Sequence, residues 1–292
     1  MNKLSFQQII MHLQQFWCNQ GCAILQPYDV EIGAGTFHPA TAIKLLGQAQ
    51  WRAAYVQPSR RPTDSRYGSH PNRLQQYYQF QVIIKPSPNN IQALYLHSLE
   101  YLNINTQTND IRFVEDDWQS PTLGASGLGW EVWCNGMEIS QITYLQQIAS
   151  IECNPIPIEI TYGLERLAMY IQEVDDIKLL NWNNQSGELA LTYQMVNIEN
   201  ERQFSAYNLE YANTNILFKQ FEDAEQQCQD LVKQNLPLPA YDFCLKASHL
   251  FNLLDSRGVI GVTQRTNYIA RIRTLAQTVC NQYIKNLNIS NA

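Results

Sequence analysis

Apolar positions recur at helical spacing from the start of the chain. Phe6, Ile9, Ile10, Leu13, Phe16 and Trp17 form one stripe, and Ser5 with Gln8 has capping-box spacing, so a helix is predicted from Ser5 to Cys18. Gly21 ends it. Cys22 to Val30 reads as a strand, and GAGTFHPAT (33–41) as a loop marked by glycine and proline. Residues 56 to 85 read as strand, loop, strand. The first strand ends at Pro58, Ser59, Arg60 and Arg61, the loop holds Pro62, Asp64, Gly68 and Pro71, and Tyr77 to Ile84 is rich in aromatic and β-branched residues. PSPNN (86–90) breaks the chain ahead of a helix from Ile91 to Leu102, Asp110 to Glu115 reads as a strand, and SPTLGASGLG (120–129) as a loop.

The clearest hairpin is WEVWC–NG–MEISQITYL, turned by Asn135 and Gly136. A two-residue turn sets Cys134 opposite Met137, Trp133 opposite Glu138, Val132 opposite Ile139 and Glu131 opposite Ser140. Alternation then places Val132, Cys134, Met137 and Ile139 on an apolar face, and Glu131, Trp133, Glu138 and Ser140 on the other. This predicts a sheet with helices behind and a site in front. Pro157 to Tyr162 is a short strand in which Glu159 and Thr161 face away from Ile158 and Ile160. It runs into a helix, GLERLAMYIQ (163–172).

The character changes at about Asp175. LNWNNQSGE (180–188) is linker-like, and helices are predicted over 200–209, 213–235, 239–254 and 263–286. Two domains follow: 1–174, which carries the strands, and an all-helical region, 175–292. Leu217, Phe221 and Ala224, and Leu250, Phe251 and Leu254, read as core.

The loop chemistry sharpens this picture. Arg60, Arg61, Arg66 and Arg73 on a loop beside an aromatic strand suit a polyphosphate and a stacked base, against the blander alternative of a solvated basic loop. Arg166 stands in the first turn of its helix, where the backbone already carries positive partial charge. That suggests an anionic or π-rich ligand, or a salt bridge with a nearby carboxylate.

Composition limits the partners. The chain has 292 residues, is 45% hydrophobic and carries a net charge of −6, so it does not bind nucleic acid by charge alone. Its 7 cysteines are scattered; Cys18 and Cys22 have no second pair to complete a zinc site. Core thiols in a reducing compartment, a polar then amphipathic N-terminus and the lack of a membrane-length apolar run give a cytoplasmic expectation.

An arginine at the end of one antiparallel strand, an aromatic strand returning and a later strand–helix with G-L-E-R make up the motif 2 and motif 3 pattern of class II aminoacyl-tRNA synthetases. QPSRRPTD, HPNRLQQYYQFQVI, GLGWEVW–NGMEIS and EITYGLERLAMYIQ closely resemble the alpha subunits of bacterial glycyl-tRNA synthetases, and the resemblance runs on through FNLLDSR and RIRTLAQ. G-L-E-R alone is a weak signal; four long blocks in order are specific.

The resemblance implies an α+β fold: a mainly antiparallel class II synthetase-like sheet flanked by helices, then a C-terminal helical domain. It implies glycine activation with ATP to glycyl-adenylate, then transfer to the 3′ end of tRNA-Gly. The implied assembly is a homodimer of alpha subunits within a heterotetramer of two alpha and two beta subunits. The first helix and Gly33 to Pro39 resemble its dimer-forming motif 1. By the same resemblance Arg60 is the motif 2 arginine at the α-phosphate, and Arg66 and Arg73 are candidates for the β- and γ-phosphates. Tyr78 or Phe80 faces adenine. Arg166 stacks on the other side or holds the γ-phosphate. Mg²⁺ is expected, with Glu138 the candidate ligand. Tyr78 and Phe80 share one face, so a register one residue different presents Tyr77 instead.

Related alanine enzymes carry D-T-G-M-G-L-E-R where this chain has Glu159 to Arg166. Glu159 therefore stands where their aspartate binds the α-amine, and Thr161 replaces a glycine, so its bulk blocks a methyl group. Trp118, Glu138 and Ser140 complete the expected glycine pocket. The alternatives are a synthetase-like regulatory protein that no longer charges tRNA, an enzyme adenylating another small carboxylate, or a structural subunit of a nucleoprotein. The filled arginine positions and the front-facing Glu131, Glu138 and Glu159 weigh against all three.

Overall fold

A computed structural model describes residues 3–47 and 50–290. Helix α1 (Phe6–Asn19) begins with the expected capping box: Ser5 Oγ accepts from Gln8 N, and Gln8 Oε1 accepts from Ser5 N at 3.0 Å. Strand β1 (Ala23–Leu25) is shorter than expected, because Pro27 cannot donate to a ladder. A 3₁₀ turn (Gly35–Phe37) and the short helices α2 (Pro39–Ala42) and α3 (Lys44–Gly47) fill much of the following stretch. His38 caps α2, its Nδ1 accepting from Ala40 N at 2.9 Å.

Strands β2 (Trp51–Arg60) and β3 (Gln76–Lys85) form the predicted antiparallel pair, and α4 (Ile91–Tyr101) follows. Next come β4 (Ile111–Ser120), β5 (Ala125–Cys134), β6 (Met137–Ile148), β7 (Ile151–Glu152), β8 (Ile158–Gly163) and α5 (Leu164–Gln172). The 8-stranded sheet has the order β1-β2-β3-β8-β6-β5-β4, with β7 on β6. It is mixed: β1 is parallel to β2, and the other pairings are antiparallel.

Two sequence expectations change here. The expected 120–129 loop is a tight turn between long strands, and Gly129 lies in mid-sheet, paired with Asp116 and Thr143. It signals close approach rather than a turn, since a Cβ there would meet Ile142 O at 1.8 Å. In the β5–β6 hairpin, Cys134–Met137 and Trp133–Glu138 pair as derived, and Asn135 and Gly136 both have the positive φ of the predicted turn. A bulge then breaks the register. Val132 pairs with Ser140 rather than Ile139, and Glu131 with Gln141 rather than Ser140. One extra residue reverses every facing beyond it.

One sheet face buries Phe80, Val82, Ile84, Ile142, Ile160 and Tyr162 against α1, α4 and α5. The opposite face divides. At one end Tyr55, Ile83 and Leu145 pack on the C-terminal helices α7 (Thr214–Lys233), α8 (Pro237–Ser256) and α9 (Val262–Ser290); at the other it opens as a cleft. Both cores draw residues from either side of 174. The stretch read as linker-like is tied down: Leu180 and Trp182 pack with the first core, and Asn181 and Asn183 bond to neighbouring backbone. Helix α6 (Glu199–Ala206) is continuous with π-helical turns on both sides, Gln194–Ile198 and Tyr207–Tyr211. Cys18 is exposed, and the other free cysteines are buried. Among the described residues no helix is long and apolar enough to cross a membrane.

Candidate active site

The open face of the sheet floors a cleft of ≈ 650 Å³. Strand pairing aligns Gln81, Thr161, Gln141 and Glu131 in one row across four strands, and Glu159 beside Thr143 in the next. This face of the sheet is polar, which suits a cleft for a charged ligand. The 3₁₀ turn at Gly35–Phe37 presses against it. Gly35 N donates to Gln79 Oε1 at 2.9 Å, and a Cβ on Gly35 would meet the Gln81 side chain at 2.3 Å. Thr161 Oγ1 lies 2.6 Å from the Gln81 amide, either end of which can partner it.

Glu159 is 3% exposed and accepts from Thr36 Oγ1 at 2.9 Å through Oε2. Its other oxygen, Oε1, has no hydrogen-bond partner. Burial pushes this carboxyl up to about 7, opposed by the Thr36 hydrogen bond. An unpartnered buried carboxylate oxygen is costly unless a donor arrives, and a small ammonium is the fitting donor.

The cleft walls are charged. Arg61 and Arg73 enter from the β2–β3 loop, Arg61 over the Tyr77 ring at 4.9 Å and Arg73 3.8 Å from Asp64. Opposite them, Arg166 in the first turn of α5 is held 2.6 Å from Glu138 Oε2, the salt-bridge alternative drawn from the sequence. Glu131 and Trp118 continue this wall. Asp116 accepts from Gln141 Nε2, and its carboxyl is raised by partial burial and by the neighbouring Glu131 and Asp117. Behind Arg166, Glu165 is fully buried; it accepts from Tyr78 N and Tyr193 OH, both at 2.8 Å. Burial pushes it up to about 7, with those two donors opposing.

Arg73, Trp118, Glu138, Ser140, Thr161 and Arg166 therefore line the cleft, with Glu159 beneath it beside Thr161. Other candidates lie elsewhere. Arg60 alternates away from Arg61 at the strand end and stacks on Phe204, 4.6 Å from the ring centroid, in a second cavity with Glu31 and His249. Tyr78 and Phe80 point to the helical side, Tyr78 against Phe6 and Trp182 and Phe80 against Tyr162; the one-residue alternative puts Tyr77 in the cleft. Ser140 stays at the cleft, but the bulge turns its hydroxyl away, where it accepts from Tyr95 OH at 2.9 Å, and brings Gln141 forward. Arg66 Nη1 donates to the carbonyls of Thr63 and Ser65. Sequence reasoning missed Arg61 as the inward arginine, although strict alternation from Ser59 marks it. Thr36 and Gln81 carried no signal, because their roles depend on a long-range approach.

Among the described residues no group of three or more His, Cys, Asp or Glu side chains could hold a metal ion by itself. Glu131 and Glu138 are hard oxygen donors of the kind Mg²⁺ accepts when phosphates supply its other ligands.

Residues 6–288 match the family model described as glycyl-tRNA synthetase alpha subunit. The chain is similar to the glycine–tRNA ligase alpha subunits of Rickettsia bellii strain OSU 85-389, at 64% identity, and Rickettsia typhi, at 65%; each alignment covers 98% of this chain and 99% of the relative. A solved pyrrolysyl tRNA synthetase of Desulfitobacterium hafniense aligns over 61% of this chain and 71% of its own, at 12% identity and a TM-score of 0.46, a likeness too slight to place the fold.

Proposed function

From the premise that this chain belongs to the glycyl-tRNA synthetase alpha subunit family, we propose that the cleft forms glycyl-adenylate from glycine and ATP and passes the glycyl group to the 3′ end of tRNA-Gly. A beta subunit completes the enzyme, as the subunit name of the relatives implies. The assembly is two alpha and two beta subunits in the cytoplasm, on a class II synthetase fold.

The observation that carries this reading is Glu159. A buried carboxylate with one free oxygen, beside Thr161 and on the sheet face walled by arginines, suits the ammonium of a very small amino acid. Glycine offers no side chain to grip, so selection works by exclusion. Thr161, bonded to the Gln81 side chain against which Gly35 presses, occupies the space a methyl substituent needs.

In the first step a glycine carboxylate oxygen attacks the α-phosphorus, forming the new P–O bond as the bond to pyrophosphate breaks. In the second, a terminal ribose hydroxyl of the tRNA attacks the glycyl carbonyl and AMP leaves. The first step needs no base, since the carboxylate is already ionised. It needs two anions held together, so positioning and charge stabilisation dominate. Arg61 replaces Arg60 in this assignment: its planar fork suits the α-phosphate and the attacking carboxylate. Tyr77 offers a ring face to adenine. Burial holds its phenol up at about 12, so it remains neutral. Arg166 takes a distal phosphate once the nucleotide competes with Glu138, and Arg73 another. Mg²⁺ bound by those phosphates with Glu138 or Glu131 would screen their charge.

Glycine-dependent exchange of pyrophosphate into ATP tests the first step, and tRNA charging with the beta subunit tests the second.

A further inference from the structure

The β2–β3 loop carries Arg61 and Arg73 and folds on local contacts, among them Ser65 Oγ to Pro62 O at 2.6 Å and Arg66 Nη1 to Thr63 O at 3.3 Å. Residues from the helical stretch 194–211 then tie it to the helical region. Glu201 on α6 is 2% exposed, and its two oxygens accept the backbone N–H groups of Gln75 at 2.8 Å and Gln76 at 3.4 Å. Gln76 begins β3, and the O of Gln75 just before it accepts from Arg61 N at 2.6 Å. One turn along, Ser205 Oγ accepts from Tyr67 N at 3.0 Å. Asn208 then donates to Ser65 Oγ at 3.1 Å and Gln75 Oε1 at 3.4 Å, and Tyr67 OH bonds to Glu210. Glu201, Ser205 and Asn208 fall at i, i+4 and i+7, one helical face. Ser256 Oγ on α8 donates to Asn208 O at 3.0 Å, fixing that end of the stretch.

This arrangement is costly to build. Burial raises the Glu201 carboxyl, and its hydrogen bonds, led by those from the Gln75 and Gln76 backbone, oppose the rise. A buried acid aimed at the backbone of a loop whose side chains are cationic has an effect beyond packing. It fixes the loop's base so that Arg61 and Arg73 stand over the cleft before a nucleotide arrives, which removes an ordering cost from binding.

We propose that Glu201, with Ser205 and Asn208, is a positioning strap for the arginine loop and acts selectively on ATP binding. The proposal rests on the reading of the cleft as the ATP site. None of the three residues touches the floor at Glu159 and Thr161, and bound ATP itself orders the loop, so glycine binding at saturating ATP is independent of them.

The test uses Glu201→Gln, Asn208→Ala and Ser205→Ala in the full chain with its beta subunit. Two readouts are taken: exchange kinetics for each substrate, and trypsin cleavage after Arg66 or Arg73 without ATP. The strap predicts that Glu201→Gln and Asn208→Ala raise the KM for ATP about tenfold, with kcat and the KM for glycine held within about twofold. Cleavage in the loop accelerates about tenfold, and saturating ATP restores protection. Ser205→Ala, which loses the Tyr67 contact and a hydrogen bond to Glu201, leaves the Glu201 carboxyl on the loop backbone, shows the same pattern more weakly and carries the test if Glu201→Gln does not fold. Parallel changes in both KM values, or unchanged cleavage in a folded variant, would overturn the proposal. If the wild-type enzyme shows no exchange, the ATP reading of the cleft fails, and the cleavage rates alone decide whether the strap exists.

Discussion

The Arg61 guanidinium stacks on the Tyr77 ring with 4.9 Å to the centroid. These residues come from facing ends of β2 and β3, and their contact places a cation and a π face in one corner of the cleft. Arg60, one residue earlier, reaches the second cavity instead. The two arginines are thus separable by mutation. Arg61→Ala is expected to lower kcat/KM for pyrophosphate exchange by about 10²–10³, the scale of losing a principal charge-stabilising group. Arg60→Ala is expected to cost less than about tenfold. Equal losses in steady-state kinetics would contradict the assignment.

Glycine binding should depend on pH through Glu159. Its carboxyl is raised to about 7, so near neutrality only part of the population is ionised and able to pair with an ammonium. The KM for glycine should fall as pH rises through about 7 and then level off, changing about tenfold between pH 6 and pH 8. Glu159→Gln should raise the KM and remove the dependence.

Stability has the opposite sign. A carboxyl whose folded pKa is raised stabilises the fold below its unfolded value and loses that contribution as pH rises to about 7. Without ligand, thermal unfolding should therefore show a falling Tm between about pH 4.5 and pH 7 from Glu159 and Glu165. Glu159→Gln should flatten part of that slope, and a Tm slope identical to wild type would remove Glu159 from the account.

Thr161→Gly opens space next to the Gln81 amide without removing Glu159. Alanine should then support exchange, with the glycine preference reduced by about 10–200-fold, the range a single methyl-sized filter commands. An unchanged preference assigns exclusion to another wall residue.

The Glu138–Arg166 pair is partly solvated, so its worth to the fold is small, about 0–1 kcal/mol. Arg166→Ala should leave the Tm within a few degrees and raise the KM for ATP about tenfold. A large loss of stability instead would make the pair structural.

The sequence carried the helix α1 cap, the β2–β3 pair, the Asn135–Gly136 turn and the placing of Arg166 beside a strand end, because each rests on local spacing. It also carried Glu159 and Thr161 on one face. Tyr78, Phe80 and Arg60 turn away from the cleft, and the Ser140 hydroxyl turns from it while the residue still lines it, for related reasons. Side chains alternate with a period of two, and a one-residue change in register or one bulge reverses them. The Tyr78–Glu165, Thr36–Glu159 and Gln75–Glu201 bonds join residues 87 to 126 positions apart, and no local pattern encodes such approaches.

The central claim is that this cleft activates glycine with ATP. Exchange of labelled pyrophosphate into ATP, with glycine present and absent and the beta subunit added and omitted, measures it directly. The account predicts glycine-dependent exchange that Arg61→Ala and Glu159→Gln both weaken. A folded wild-type protein that shows no glycine-dependent exchange even with the beta subunit contradicts it.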